Sequence, residues 1–429
     1  MLIKLSMENW KSIAETSLEI DPLSVLIGTN ASGKSNVLDA LAFLNRISQG
    51  ALLTAALQGD GNLAQMRGGL EWAARRPGDR FKLSATVRHD ETTEFIYKIE
   101  CIISRGHCEV FSEELIRQRF RLKRNNERQA NPSQIALFKS DPTDQNSPTI
   151  TARLYNEKRG TPRQLNRASA ALYQLFGQKN RTEIDEGISS VLADLRNIFI
   201  LDPIPSHMRS FSPFSEKLQA DAGNIAGVLA AQHESAKLEI EQTLTKYVSK
   251  LPERDIVRVY AEAVGKFNSD AMLYCDEKYG DSDQTIDARG MSDGTLRFLA
   301  ITTALLTRTK GSLLVVEEVD NGLHPSRSKL LLNMLREIGT ERGVDVLVTT
   351  HNPALLDEMG TEMVPFITVS HRNPGSGATE LTLLENIEEL PRLLSQGAIG
   401  EISSRGLIES ALKDQENEQK EVHKQDLFG

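Results

Sequence analysis

A chain of 429 residues, 39% hydrophobic and 25% charged, holds enough apolar material for one large or two ordinary domains with a real core. Its formal net charge of -9 argues against wholesale coating of nucleic acid and leaves only a local basic patch open. No apolar run approaches the roughly 20 residues that span a bilayer, the start MLIKLSMENW is too polar for a signal peptide, and Cys101, Cys108 and Cys275 lack metal-pair spacing, so a reduced, cytoplasmic setting is expected.

In chain order, LIKLSMENWKSI alternates and then meets a turn. PLSVLIG, Pro22 to Gly28, is a short apolar run closed by glycine and reads as a buried strand. From Ser35, SNVLDALAFLNRI carries apolar residues at helical spacing. RFKLSATVRH and TEFIYKIECII read as strands joined by polar turns. Beyond Phe111 the pattern weakens, through a basic run RQRFRLKRNNERQ and a Pro/Ser/Asp loop KSDPTDQNSPTI. Residues 162–248 read as mostly helical with a break at DPIPS, and DAMLYCDEKYGDSDQTIDA reads as a hairpin. From Met291 helix and strand alternate through GTLRFLAITTALLTRT, SLLVVEE, SRSKLLLNMLREIG and VDVLVTTH, which predicts a parallel α/β sheet. The tail KDQENEQKEVHKQDLFG is polar and expected to fray.

GTNASGKS, Gly28 to Ser35, matches G-x-x-x-x-G-K-[ST] between a predicted strand and a predicted helix. Gly28 and Gly33 let the backbone curl so that N–H groups face phosphate oxygens, and the helix that follows adds its positive end. In such a loop Lys34 reaches the terminal phosphates and the Ser35 hydroxyl ligates Mg²⁺. Asn30 and Asn36, within and just after the loop, join them as candidate nucleotide contacts.

LLVVEEVDNGLHP, Leu313 to Pro325, ends an apolar run on two adjacent glutamates. Unpartnered buried carboxylates are costly, so the strand end has to face something other than the core. A phosphate loop needs a carboxylate for its metal, and Glu317 suits that role, acting on Mg²⁺ through water. Glu318, one residue on, points the other way along an extended backbone and suits a general base on the attacking water. The plain alternative is a strand leaving the core with two solvated acids.

Two weaker signals accompany these. In MSDGTLRFLAI, Ser292 and Gly294 open a helix, which is either an ordinary N-cap or an anion site for the γ-phosphate held by a second subunit. VLVTTHN ends a strand on His351, either a structural residue or a contact to the γ-phosphate or the attacking water.

Taken in order, GTNASGKS, MSDGTLRFLA, VVEEVDNGLHP and VLVTTHN resemble the ABC-type ATPase heads of the RecF, SMC, Rad50 and OLD group. The opening MENWKSIAETSLEIDPLSVLIGTNASGKSNVLDAL, with Asn9 and Lys11, is similar to that group's start. The resemblance covers roughly residues 1–60 and 285–360. It implies an α/β fold: an ABC-type P-loop ATPase head with a parallel core sheet and an antiparallel β lobe. It also implies heads that pair head-to-tail, with ATP and Mg²⁺ held between Lys34 of one copy and Ser292 of the other. The expected assembly is therefore a homodimer or a larger even-numbered homo-oligomer. Glu317 departs from the commoner Asp. His324 in NGLHP stands where transporter-type heads carry Asp, a pattern closer to the OLD-like AAA-type heads.

The interval from Lys34 to Ser292 is too long for a minimal transporter head and too short for long coiled-coil arms, and it carries no sustained heptads. It predicts a mostly helical insertion at 116–254, between an N-terminal lobe at 1–115 and a C-terminal lobe at 255–400, with a polar tail at 401–429. The run Arg117, Arg119, Arg121, Lys123, Arg124 and Arg128 reads either as a phosphate-backbone contact or as a solvated charged helix face. CDEKYGDSD, Cys275 to Asp283, reads as a polar hairpin turn before a metal site. No nuclease cluster follows His351, and no N-K-x-D motif signals GTP. The expectation is an ATPase that controls a separate effector such as a nuclease, in phage defence or DNA repair, with DNA binding possible and no membrane. The alternative is a transporter ATPase.

Overall fold

The computed structural model describes residues 1–123, 127–143, 147–155, 160–251, 256–280 and 282–415. Its strands are β1 (Leu2–Trp10), β2 (Ile13–Glu19), β3 (Leu23–Ile27), β4 (Arg80–Arg88), β5 (Thr93–Ser104), β6 (His107–Arg119), β7 (Ser133–Ser140), β8 (Thr149–Leu154), β9 (Thr161–Asn166), β10 (Ile198–Leu201), β11 (Ser212–Pro213), β12 (Ile256–Val264), β13 (Asp270–Tyr279), β14 (Ser282–Asp287), β15 (Leu313–Val316), β16 (Asp345–Thr349), β17 (Ile367–Arg372) and β18 (Thr379–Leu383). The helices used below are α1 (Lys34–Ser48), α2 (Leu53–Gln58), α3 (Ala171–Leu175), α4 (Thr182–Arg196), α5 (Pro205–Met208), α6 (Ile225–Ala230), α7 (Glu234–Val248), α8 (Asp293–Thr307) and α9 (Ser328–Arg342). The chain divides into two compact units. One is Met1–Asp21, Thr29–Ile198 and Ser370–Thr382; the other is Pro22–Gly28, Phe199–Val369 and the chain from Leu383 onward.

The first unit is built on a sheet of order β18-β2-β1-β4-β5-β6-β7-β8-β9, antiparallel apart from the parallel β18–β2 pair. Alternation drives it: β4 buries every second residue, as a sheet with one covered face requires. Trp10 sits under that cover, its ring 4.9 Å from Phe81 and 5.9 Å from Phe43 of α1. The Trp10 indole donates to the Asn36 carbonyl at 2.7 Å, which fixes the start of α1 on the sheet.

The second unit follows a different rule. β3, β15 and β16 are buried at every residue, the continuous apolar pattern of strands covered on both faces. β15, β16, β3 and β17 run parallel within the order β10-β15-β16-β3-β17, with Val316 beside Val348, Thr349 beside Leu26 and Val369 beside Ile27. Leu347 has no exposed surface, and truncating it to alanine costs about 2–5 kcal/mol. A smaller sheet sets β13 between β12 on one side and β11 and β14 on the other. The free edge of β12 is sealed by α7. Thr245 accepts from the Val259 N–H, Glu241 from the Ala261 N–H, and Lys237 donates to the Ala261 carbonyl.

Three expectations need correction. Residues 116–254 are not a mostly helical insertion: β7, β8 and β9 extend the antiparallel sheet, and helix begins only at α3. These strands are short and carry exposed polar positions, β9 almost throughout, so the apolar half of their alternation is thin in the sequence. The two compact units also interleave along the chain and do not follow lobes at 1–115 and 255–400. Finally, the polar tail starts later than residue 401: Ile402, Ile408, Ala411 and Leu412 are buried, while residues 416–429 lie outside the described residues. The predicted hairpin at Cys275–Asp283 is present as β13 and β14, with Asp281 outside the described residues.

Candidate functional site

The phosphate loop begins at Gly28, directly after β3, and ends on α1. Gly33 is the N-cap of α1 at φ +113, a conformation that disfavours a side chain, and any Cβ there would collide with Thr379. Loop carbonyls are tied off by groups from elsewhere in the first unit. The Thr379 hydroxyl donates to the Ser32 carbonyl at 2.8 Å and Arg372 Nε to the Ala31 carbonyl at 3.0 Å. Because the peptide is planar and trans, pinning the Ser32 carbonyl turns the Gly33 N–H the opposite way. Lys34 Nζ donates to the Thr29 carbonyl at 3.1 Å. The first turn of α1 has no acidic residue and no side-chain cap, so its N-terminal dipole is left for an anion. This arrangement fits a polyphosphate.

A second layer braces the loop. Asn36 Nδ2 donates to Ser12 Oγ at 2.5 Å, and Ser12 Oγ lies 2.7 Å from Thr379 Oγ1. Asn36 thus supports the loop from beneath, while Asn30 is exposed at its tip. Asn9 and Lys11 both have left-handed backbones, at φ 52 and 51. The Lys11 ammonium is buried against Asp39 at 2.5 Å and donates to the Arg67 carbonyl, and burial lowers its pKa. Lys11 is therefore locked onto α1.

The carboxylates stand on the second unit. The parallel register brings the ends of β15, β16 and β3 to one edge, so that Glu317, Thr350 and Gly28 leave the sheet on the same side. In open α/β sheets that carboxyl edge is where ligands bind. The expectation that Glu318 alternates with Glu317 along an extended strand is not met. β15 stops at Val316, and Glu318 lies in a turn with φ 47. A glutamate in that region is strained, and the turn is held by its neighbours. The Glu318 N–H donates to Thr349 Oγ1 at 2.8 Å and the Val319 N–H to the Thr349 carbonyl at 3.1 Å. Thr350 donates to Asp320 at 2.7 Å. The result sets Glu318 Oε1 3.7 Å from His351 Nδ1, with both side chains about half exposed. Sequence order links these two residues only as successive motifs; the turn brings them together.

Ser292 is the N-cap of α8: its hydroxyl accepts from the Thr295 N–H at 3.1 Å. The capping reading therefore holds, and Ser292 as a residue is partly exposed. Gly294 has no room for a side chain, since a Cβ would lie 2.7 Å from both the Gly322 carbonyl and Arg327 Nη1. Arg209 braces this turn by donating to the Met291 carbonyl at 3.0 Å and pairing with Asp293 at 2.6 Å. His324 caps the short helix Pro325–Arg327 by accepting from the Ser326 N–H. Among the bracing residues, Thr349 has a visible cue in its place beside His351 in VTTH, whereas Thr379, Arg372 and Arg209 have none.

The basic run does not lie on a helix, and its Arg119 and Arg121 are exposed. Arg117 is a buried residue of β6 paired with Glu183 at 3.3 Å, Lys123 pairs with Glu127 at 3.1 Å, and Arg128 pairs with Glu94 while stacking over Phe120. Arg124 lies outside the described residues. Among the described residues no group of three His, Cys, Asp or Glu could hold a metal on its own. No helix of the described residues is long and apolar enough to cross a membrane.

Over residues 23–357 the chain matches the family AAA_21, described as AAA domain, putative AbiEii toxin, Type IV TA system. None of the curated proteins matches. Among solved structures the chain is similar to an SMC head bound to the C-winged helix domain of ScpA, at 14% identity over 89% of this chain and 96% of that chain, with a TM-score of 0.46. It is similar to an SMC head domain from Thermotoga maritima, at 13% identity over 89% and 98% with a TM-score of 0.40. A third is the Smc head domain with an extended coiled coil bound to the C-terminal domain of ScpA derived from Pyrococcus furiosus, at 13% identity over 92% and 98% with a TM-score of 0.45. The family match runs from the phosphate strand to His351 and agrees with the order of motifs in the sequence, so the chain belongs to the AAA_21 family of AAA-domain ATPases.

Proposed function

We propose that the chain hydrolyses ATP within a head-to-tail pair of copies, and that this cycle controls a separate protein effector such as a nuclease in bacterial phage defence or DNA repair. The observation that carries the catalytic part is the Glu318–His351 pair, set by a strained turn at the carboxyl edge of a parallel sheet. ATP is the substrate, and Mg²⁺, when bound, would neutralise charge on its phosphates. Gly28, Asn30, Gly33 and Lys34 bind the phosphates, with Asn36 bracing the loop. Ser35 and Glu317 hold the metal. The Glu318 carboxylate accepts the proton of the attacking water, and His351 orients that water or the γ-phosphate. Ser292 and Gly294 of one copy face the γ-phosphate bound by the other.

The defence setting rests on the family description, which prints a putative AbiEii toxin of a Type IV TA system. The transporter alternative is not favoured by that family match. Steady-state ATP hydrolysis by the purified chain, with and without linear double-stranded DNA, tests the reading. The expected result is Mg²⁺-dependent turnover that Glu318→Gln abolishes. Turnover unaffected by Glu318→Gln would remove the base assignment, and stimulation by DNA would make DNA the trigger.

A further inference from the structure

We infer that one end of the small sheet is a self-association surface: the Phe267 ring of one copy enters a recess beside β11 of a second copy, and the second copy's ring enters the recess of the first. This contact is separate from the nucleotide-bound pair proposed above and does not depend on it.

The ring is the first observation. Phe267 is 86% exposed, the most exposed large hydrophobic residue among the described residues. It stands at the tip of the hairpin between β12 and β13. The turn itself is made by its neighbours: Gly265 and Asn268 take positive φ, and the Asn268 N–H donates to the Gly265 carbonyl at 3.3 Å. A polar residue would serve the turn as well at that tip. Phe211 and Phe214, 55% and 42% exposed, flank β11 beside it, and the Phe214 N–H donates to the Ser269 carbonyl at 3.1 Å. Exposed aromatic side chains gathered in one patch mark a protein contact.

The recess is the second. Phe211 and Phe214 border a cavity of about 440 Å³ whose walls include His207, Gln219, Asp221 and Asn224. Bonds within the chain hold its shape. Asn224 Oδ1 accepts from the Gln219 N–H and Asn224 Nδ2 donates to the Lys217 carbonyl, each at 2.9 Å. Ser212 Oγ accepts from the Gly227 N–H at 2.9 Å, which ties β11 to α6. Asp221 Oδ2 lies 2.9 Å from His207 Nδ1, and its Oδ1 accepts from the Gly223 N–H at 3.0 Å. A recess braced in this way loses little freedom when it is filled. The polar groups of Ser212, Asp221 and Asn224 already have partners, so an aromatic ring can cover them without leaving a donor or acceptor unmet.

Placement selects a second copy as the occupant. Ring and recess lie side by side, joined by the pairing of Ser212 with Ala271 and Pro213 with Asp270. At 86% exposure the ring is outside the recess of its own copy. A two-fold axis between the two features seats each ring in the other's recess, the self-complementary form of an isologous pair. Charge permits this. The hairpin carries Glu262, Lys266 and Asp270, and the recess loop carries Glu216, Lys217 and the His207–Asp221 pair, while Arg209 is taken by Asp293. Both signs are present on each side, so two copies meet without a block of like charge. At about 150–250 Å² per aromatic side chain, the exposed parts of the six rings in a pair come to roughly 700 Å². That is more than half of the ~1,200 Å² at which stable interfaces begin, so a weak, concentration-dependent association is expected.

Sedimentation of the full chain without nucleotide tests the inference. The mass should rise with concentration from one copy toward two. Phe267→Ser should weaken that association at least ~30-fold, the loss expected for an interface anchor, with the fold intact because the ring is exposed. Phe267→Leu keeps an apolar tip and should retain most of the association. Phe211→Ser combined with Phe214→Ser removes the border of the recess and should also leave single copies. Mixing that double variant with Phe267→Ser restores one ring and one recess per pair, so association should return in the mixture although neither variant associates alone. A mixture that stays single at concentrations where wild type pairs would overturn the seating of the ring in the recess. Wild type that stays single at every concentration would overturn the inference and leave the recess to another protein, and Phe267→Ser that pairs like wild type would overturn it as well. Because no nucleotide is present, none of these outcomes bears on the head-to-tail reading.

Discussion

Glu113 lies on β6 with 1% of its surface exposed, whereas Glu318 sits in a turn with 43% of its side chain exposed. The carboxylate of Glu113 is surrounded by donors: Tyr97 Oη at 2.9 Å and the N–H groups of Ala171 and Leu172 at 2.6 and 2.7 Å. Burial outweighs those donors and raises its pKa to about 7. For Glu318 the constraint falls on the backbone instead, through φ 47 and the bond to Thr349, while the carboxylate keeps only a long contact to His351. The difference separates two uses of one side chain. An acid whose lone pairs are filled by local donors holds the fold, here by docking α3 onto the sheet. An acid whose backbone is fixed and whose side chain is half exposed is left open to a substrate, which is the role proposed for Glu318.

The sharpest way to break this comparison is Glu318→Gln. Turnover should fall by ~10²–10⁴-fold, the span of general-base contributions, with the fold and ATP affinity unchanged. Glu113→Ala should do the reverse. It leaves three buried donors without an acceptor and costs on the order of 1–3 kcal/mol each in the worst case, seen as a lower denaturant midpoint, with turnover per folded molecule unchanged. The pH dependence of that stability has a definite sign. A folded pKa of about 7 against an ordinary 4.5 means that the folded chain binds more proton between those values. Wild-type stability relative to Glu113→Gln should therefore fall as pH rises from 4.5 to 7 and level off above. A relative stability that rises across that window would show that the donors outweigh burial. Thr349→Val is the finest probe. It removes the hydroxyl that accepts from the Glu318 N–H, and about 1 kcal/mol of lost positioning predicts roughly fivefold slower hydrolysis at unchanged ATP affinity. Equal rates for Thr349→Val and wild type would mean that the turn does not need that bond.

The phosphate loop and the paired glutamates were legible in the sequence because each is local: the loop needs glycines, Lys34 and Ser35 in one run, and the acids end one strand. The parallel strands were legible for the same reason, through LLVV and DVLVT. The braces were not. Thr379 and Arg372 reach the loop from Ser370–Thr382, a segment that returns to the first unit only after the chain has run through Phe199–Val369 of the second. No spacing rule connects such residues. The left-handed turn at Glu318 was also hidden, because nothing in the dipeptide Glu-Glu signals φ above zero, and the alternation expected of a strand gave the wrong reason for its placement. β7, β8 and β9 escaped because polar loops interrupt them and their outer positions are solvated. Glu113 carries no signal of its own in the sequence, since two of its three donors come from α3, far along the chain.

The most direct test of the central claim is the solution mass of Glu318→Gln, measured by light scattering with and without ATP and Mg²⁺. If Glu318 activates water in a nucleotide-closed pair, the variant should be monomeric or loosely associated without ATP and should persist as a doubled species once ATP is added. The contradicting result is a mass that ignores ATP in a variant that still turns ATP over at the wild-type rate.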